Sequence, residues 1–180
     1  RTTLAVWGSR VRIPLAPPQR PPRTLGCVEV FTFAHHDTPI GGLTSVCSQR
    51  GLTRIAFGHT RVDGAVLAGH GVVDKQLLEY FAGARRFFDL PLDWGGEGFR
   101  ARAQRALLDI PYGGTATYAE LAAMAGNGRA ARAAGSACAT NPLPVVVPCH
   151  RVVPAGGGLG SYAGGVDIKR QLLELEERYG

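Results

Sequence analysis

Near Leu92 the chain changes its hydrophobic period, and that change limits the fold more than any single motif. From Val28 to about Leu92 the text is strand and turn. VEVFTFA (Val28 to Ala34) alternates apolar with polar residues, Asp37 to Gly42 supplies a proline and a glycine pair, and LTSVCS alternates again. Gln49 to Gly51 then turns, and LTRIAFG gives a third short strand. The pattern predicts a small antiparallel meander. Asp74 is placed to N-cap a helix whose Leu77, Leu78, Phe81 and Phe88 cover one sheet face. Pro91 to Gly98 reads as a linker. Beyond it the period is helical. Phe99, Ala103, Ala106, Leu107 and Ile110 share one side before the stop at Pro111 to Gly114, and Thr117 caps TYAELAAMAG. Asn127, Gly128 and Arg129 make a tight turn into AARAAGSACA, so the pair reads as a helix-turn-helix. A last helix runs from Asp167 to Arg178 with Ile168, Leu172, Leu173 and Leu175 inward. The fold class expected is α+β: a small N-terminal antiparallel sheet with a covering helix, then a mostly helical C-terminal domain.

The first 26 residues carry five prolines, five arginines and no acid, and show no lasting periodicity. They predict a disordered arm, which divides the chain into an arm (1–26), an α/β domain (27–92) and a C-terminal domain (93–180). Starting without methionine, the chain reads as a fragment or a processed product. Its formal charge of +6 invites a nucleic-acid reading, but outside the arm fifteen basic residues face fourteen acidic ones. Local clustering of arginine therefore matters more than bulk charge. Cys27, Cys47, Cys138 and Cys149 form no C-x-x-C pair, so reduced thiols are expected. No run reaches the roughly 18 apolar residues of a membrane span, and no signal-peptide pattern is present, which predicts a cytoplasmic protein, or a nuclear one in a eukaryote. His35, His36 and Cys27 fit no common metal spacing.

Two segments carry chemistry. The second helix of the pair is surfaced by alanine, glycine, serine and threonine, with Arg132 its one long side chain past the first turn. Such a smooth helix can lie against a nucleic-acid groove while one arginine reaches between bases. Tyr118, beside the cap of the first helix, can donate to a phosphate or a base. The other segment, LPVVVPCHRVV (Leu143 to Val153), delivers a cysteine and a histidine side by side. Most buried cysteines are inert. A thiolate, however, is the nucleophile of sulfur chemistry, and a neighbouring base activates it. In an extended segment Cys149 and His150 point to opposite faces, so proton transfer needs a turn or a bridging water. Val145 to Val147 is expected to be a buried, strand-like support. A carboxylate should orient the second histidine nitrogen, and Asp167, Glu174, Glu176 and Glu177 are all available. Asn141 can brace the loop through its amide. The glycines from Gly156 to Gly165 match no nucleotide-binding loop and read as a flexible cover.

Taken together, these residues resemble the O6-alkylguanine-DNA alkyltransferases. The resemblance is carried by PCHRV (Pro148 to Val152), IPYG (Ile110 to Gly113), the TYAELA helix start, AARA (Ala130 to Ala133), Asn141-Pro142, and SYAGG (Ser161 to Gly165) ahead of KRQLLELE. It runs in order from about Val28 to Glu177. It implies direct-reversal DNA repair: irreversible, one-shot transfer of an alkyl group from O6-alkylguanine in DNA to Cys149 after base flipping, with O4-alkylthymine left open as a second substrate. Under this resemblance Cys149 is the acceptor, His150 deprotonates it through a water, Glu176 holds the histidine, Asn141 braces the loop and Tyr118 donates toward guanine N3. Arg132 is the finger that replaces the flipped nucleotide, with Ala131, Gly135 and Arg151 also contacting DNA and the alanine-rich helix in the minor groove. Pro144, Val152, Ser161, Tyr162 and Ala163 form the substrate pocket. The carbonyls of Cys149 and Val152 receive the guanine amino group. The partner implied is double-stranded alkylated DNA, met by a monomer, with no membrane and no cofactor.

The chain departs from the family where relatives carry a bulky Val-Trp pair after the linker-helix phenylalanine, holding Ala103 and Gln104 instead. It also lacks the Cys/His set that binds zinc in some relatives, so no metal is expected. Two rival functions remain at this level. A lesion-binding protein that transfers nothing commonly replaces the motif cysteine with tryptophan, whereas Cys149 is present. A cysteine hydrolase usually brings its histidine from far away in sequence.

Overall fold

The computed structural model describes residues 29–180. The arm assigned to residues 1–26, together with Cys27 and Val28, lies outside the described residues. Strands β1 (Phe31–Thr38), β2 (Gly41–Ser48) and β3 (Gly51–Phe57) form the predicted meander, pairing Thr38 with Gly41 and Ser48 with Gly51 across two short turns. A fourth strand, β4 (Ala65–Leu67), lies parallel to β1 and completes the order β3-β2-β1-β4. At three residues it is too short to register as an alternation. β1 also starts and ends later than VEVFTFA suggests, because His36 occupies an inward slot. It is buried, with Nδ1 hydrogen-bonded to the Asp74 carboxylate and Nε2 2.6 Å from the Ser45 hydroxyl. A satisfied buried imidazole substitutes for an apolar side chain and hides the period.

The same contact corrects the role expected of Asp74. Helix α1 (Gly71–Phe81) begins after His70, four residues earlier than predicted, and Asp74 sits in its first turn bonded to His36. Val73, Gln76, Leu77 and Tyr80 make its buried stripe, while Leu78 faces outward. Phe88 lies past the helix and packs its ring 5.2 Å from that of Tyr80. The linker is anchored at its start: Leu52 N donates to Pro91 O at 2.8 Å and Asp93 N to Leu52 O at 2.9 Å, extending the β3 edge.

In the second half, α2 (Gly98–Ala106) runs into a 3-10 turn, Leu107–Asp109. Ala103 is fully buried, and Gln104 donates from Nε2 to the carbonyls of Ala137 and Thr140, each at 3.1 Å. These two bonds tie α2 to the segment around Ala137 and Thr140 as a polar clamp. α3 (Tyr118–Met124) and α4 (Ala131–Ala139) form the helix-turn-helix. Thr117 caps α3 through a reciprocal box: Glu120 N donates to Thr117 Oγ1 at 3.2 Å, and Thr117 N to Glu120 Oε2 at 2.6 Å. Replacing Thr117 with alanine will cost about 1 kcal/mol, seen as a lower denaturant midpoint at unchanged slope.

A two-residue parallel pair, β5 (Ala116–Thr117) with β6 (Val152–Val153), was not legible in the sequence. It matters for the site, because it sets the start of α3 beside the segment that leaves Cys149. Helix α5 (Val166–Tyr179) closes the chain. Both halves share one buried cluster, with Leu43, Leu52 and Leu77 from the first meeting Leu107, Leu143 and Leu172 from the second. Among the described residues no helix is long and apolar enough to cross a membrane.

Candidate active site

Prolines at 142, 144 and 148 deprive the Pro142–Cys149 segment of three backbone donors, so it cannot sustain a sheet ladder. It folds instead into buried turns, with Val147 N donating to Leu143 O at 2.7 Å and Cys149 N to Val147 O at 2.8 Å. The strand-like support expected at Val145 to Val147 is therefore a turn. Val145 adopts φ +72°, a left-handed conformation that is costly for a β-branched residue. Asn141 holds this geometry. Its Nδ2 donates to Val147 O at 2.8 Å and to Cys149 Sγ at 3.1 Å, and its Oδ1 accepts from Leu143 N at 3.0 Å. The loop is fixed to the sheet as well, since Ile55 N of β3 donates to Pro142 O at 2.8 Å.

Cys149–Arg151 form a 3-10 turn rather than an extended run, which removes the opposed orientation of adjacent side chains in a strand. His150 is wholly buried, and its Nε2 donates to Glu176 Oε1 at 2.9 Å. Since an ionised carboxylate only accepts, the ring proton sits on Nε2 and Nδ1 is left as the acceptor. Nδ1 has no hydrogen-bond partner among the described residues. Of the four carboxylates open to the sequence reading, Glu176 alone meets the histidine.

Glu176 accepts more than the histidine proton. Tyr80 of α1 donates to Oε1 at 2.6 Å, Arg151 donates from Nε to Oε2 at 2.8 Å and from Nη2 to Oε1 at 2.9 Å, and Gly113 N donates to Oε2 at 3.1 Å. Burial alone would push this carboxyl up, but donation from His150 and Arg151 holds it well below the usual carboxylate range. Glu176 is therefore a fixed negative charge. Burial pushes His150 below its ordinary value, with Glu176 pulling the other way. Burial likewise pushes the Cys149 thiol up, against the Asn141 hydrogen bond and the nearby Lys169. The resting pair is a neutral thiol and a neutral imidazole, so a proton must leave the thiol before it becomes a strong nucleophile.

Arg151 differs from its expected role. Its guanidinium is buried, forked onto Glu176, donates to Ile110 O at 2.6 Å and lies 5.7 Å from the Tyr112 ring centre. A side chain so fully committed is not offered to DNA. Arg132, by contrast, is exposed on α4, where no ion pair engages it among the described residues. Ala131 and Gly135 lie on the same helix, and a Cβ built on Gly135 would sit 3.7 Å from the Tyr118 ring. Burial pushes the Tyr118 hydroxyl up, with Cys138 and Cys149 adding to the shift. Val152 is buried, and its carbonyl accepts from Lys169 Nζ at 2.6 Å, while the Cys149 carbonyl accepts from Val152 N. Pro144 and Ala163 line one cavity of about 420 Å³ with Asn141, Thr140, Arg54 and Phe57. Tyr162 packs edge-on to Phe57, with ring centres 5.7 Å apart, and Ser161 is exposed on the same glycine loop.

Three residues at the site were given no role by the sequence reading: Tyr80, Gly113 and Lys169. Only Lys169 had a usable signal. With Leu172 and Glu176 it falls at i, i+3 and i+7 on the buried face of α5.

Residues 98–178 match the family model for the DNA-binding domain of 6-O-methylguanine DNA methyltransferase. The chain is 44% identical over 148 residues to a methylated-DNA–protein-cysteine methyltransferase of Mycobacterium bovis, covering 78% of this chain and 89% of that one. A protein of the same name from Methanosarcina barkeri is 38% identical over 151 residues, covering 78% and 94%. Among solved structures, the O6-methylguanine methyltransferase of Mycobacterium tuberculosis superposes with a TM-score of 0.77 at 39% identity over 83% of this chain and 94% of that one. The OGT of the same organism in complex with DNA gives 0.77 at 40% identity, with the same coverage. A likeness of this depth over most of both chains, with a buried Cys149 followed directly by a His150 that is hydrogen-bonded to Glu176, places the chain in the methylated-DNA–protein-cysteine methyltransferase family.

Proposed function

We propose that this protein repairs O6-alkylguanine in double-stranded DNA by transferring the alkyl group, irreversibly and once per molecule, to Cys149. The observation that carries the reading is the buried relay itself: a thiol held by Asn141, and beside it an imidazole whose outer nitrogen is pinned to the fixed negative charge of Glu176. The Cys149 proton passes through a water to His150 Nδ1, and Glu176 stabilises the imidazolium that forms. The sulfur attacks the carbon attached to O6. An S–C bond forms, the C–O bond breaks with its electron pair on the purine oxygen, and a proton donated by Tyr118 toward N3 lets guanine leave neutral.

DNA is met by α4 in the minor groove, with Ala131 and Gly135 permitting close approach and Arg132 entering the stack in place of the extruded nucleotide. Pro144, Val152, Ser161, Tyr162 and Ala163 enclose the flipped base, whose amino group is received by the carbonyls of Cys149 and Val152. The protein acts as a monomer. The thioether on Cys149 has no good leaving group, so the reaction ends there.

The test is incubation with duplex DNA carrying a labelled O6-methylguanine, followed by peptide mass mapping. One methyl group per chain on the Cys149 peptide is expected. A methyl-free Cys149, or several turnovers per molecule, overturns the reading.

A further inference from the structure

Strand β3 touches the site through two residues, Ile55 and Phe57, that alternate along it. Ile55 N donates to Pro142 O at 2.8 Å and so seats the loop that carries Pro144. Phe57, half-buried at the end of the strand, meets the glycine loop instead. Its ring stands edge-on to that of Tyr162, with centres 5.7 Å apart and planes at 69°. It also lies so close to Gly164 that a Cβ built there would sit 2.7 Å from the ring. Gly164 does not adopt a positive φ, so space and not backbone conformation calls for glycine at this position.

Tyr162 carries the packing inward, its ring edge-on to that of His150 with centres 6.3 Å apart. Its hydroxyl has no hydrogen-bond partner among the described residues. The backbone bonds at this end of the loop run within it and to α5: Gly165 N donates to Tyr162 O at 3.0 Å, and Lys169 N to Gly165 O at 3.2 Å. Ring packing therefore seats the loop on the sheet. Phe57 is itself held firmly, because it pairs with the fully buried Leu43 of β2, and Gly58 N next to it donates to Gly42 O at 2.7 Å. A close-packed seat of this kind yields little. The loop is bounded on its other side too, where a Cβ on Gly160 would lie 3.1 Å from the Pro154 ring and 3.3 Å from the Tyr118 hydroxyl. The cavity of about 420 Å³ joins these parts, with Arg54 to Phe57 from β3, Pro144 from one loop and Ala163 from the other in its lining.

We propose that Phe57 sets the size of the alkyl group this protein accepts, as a positioning residue of the N-terminal sheet that fixes how far the glycine loop stands from the Pro144 loop. This deepens the repair reading and rests on it, since the glycine loop is there the cover of the O6 substituent. A methyl group is carried with the loop seated as it is. A bulkier group needs the loop to retreat from Cys149, and the Phe57 ring behind Tyr162 and Gly164 opposes that retreat.

Single-turnover rates are measured on duplex DNA carrying O6-methylguanine or O6-benzylguanine, for the full chain unsubstituted and as Phe57→Ala and Phe57→Leu. The readout is the ratio of benzyl to methyl transfer, which a general loss of stability leaves in place. It is expected to rise about tenfold in Phe57→Ala and about threefold in Phe57→Leu, the scale on which a pocket senses a few carbon atoms. An unmoved ratio in a folded Phe57→Ala protein overturns the proposal, and if that variant does not fold, an unmoved ratio in Phe57→Leu does so. Gly164→Ala probes the contact from the loop. Beside Phe57 its methyl group meets the ring and should slow methyl transfer about tenfold, whereas in the Phe57→Ala or Phe57→Leu background the loss should shrink to within about threefold. Equal losses in both backgrounds also overturn the proposal. The same proteins are treated with iodomethane or benzyl bromide and the label on Cys149 is read by peptide mass mapping, which requires no recognition of guanine. If the unsubstituted protein leaves both DNA substrates untouched while Phe57→Ala or Phe57→Leu still raises benzyl over methyl labelling, the repair reading falls and the size limit at Cys149 stands. If repair proceeds and neither ratio moves, the size limit falls and the repair reading stands.

Discussion

Exchanging Glu176 for glutamine should slow alkyl transfer by about 10²- to 10⁴-fold, the range lost when a general base is disabled. The readout is single-turnover consumption of O6-benzylguanine. Glutamine keeps the shape and one acceptor oxygen, but it cannot remain a negative charge that stabilises a protonated His150. The same substitution leaves the Arg151 guanidinium buried with nothing to neutralise it, which costs about 3–5 kcal/mol and should appear as a lower urea midpoint. Acid titration separates the two groups. Glu176 is held below its unfolded value of about 4.3, so its stabilisation is complete above that pH and is lost as pH falls below it. His150 is held below its unfolded value of about 6.5, so the unfolded chain binds that proton first and stability also drops as pH falls through 6.5. Thermal midpoints should therefore decline in two stages on acidification, and Glu176→Gln should remove the lower stage. A variant that keeps full transfer rate and both stages would show that the carboxylate does not support His150.

The features that the sequence exposes are those with local causes. The hairpins follow from alternation and turn residues, the α3 cap from Thr117 and Glu120 three positions apart, and the loop brace from the ability of Asn141 to bond neighbouring backbone. Features built by distant partners stay hidden. Nothing about Tyr80 in the sequence shows that its hydroxyl reaches a carboxylate 96 positions away, and the β5–β6 pairing rests on four residues. Buried polar residues mislead most. His36, Gln104 and Lys169 each occupy a slot that periodicity reserves for apolar side chains, and each is admitted by specific hydrogen bonds. The burial of Arg151 is hidden for the complementary reason: arginine is rarely buried, and the carboxylate that pairs with it lies 25 residues on. The valine run from Val145 to Val147 suggests a strand, although three prolines in the seven residues from Pro142 to Pro148 already argue for turns.

Removal of the Arg132 side chain as alanine should divide the two kinds of substrate. Extruding a nucleotide from a duplex costs a few kcal/mol, and a wedge that fills the vacated space recovers part of it. If Arg132 supplies about 1.5–3 kcal/mol of that recovery, repair of O6-methylguanine in duplex DNA falls by about 10- to 100-fold. Reaction with free O6-benzylguanine needs no extrusion and should stay within about threefold of the unsubstituted protein. The placement of the residue makes the contrast clean. Arg132 is exposed on a helix whose inward residues are Ala134 and Ala137, so its loss leaves packing intact. The backbone bond from the Ser136 hydroxyl to the Arg132 carbonyl at 3.2 Å does not depend on the side chain. Lysine at this position would keep the positive charge and its pull on phosphates, but not the planar group that stacks in the gap. Arg132→Lys should therefore recover binding at low salt more fully than it recovers repair. Equal losses on duplex and free base would instead place Arg132 in support of the chemistry at Cys149 and rule out the proposed role in opening DNA.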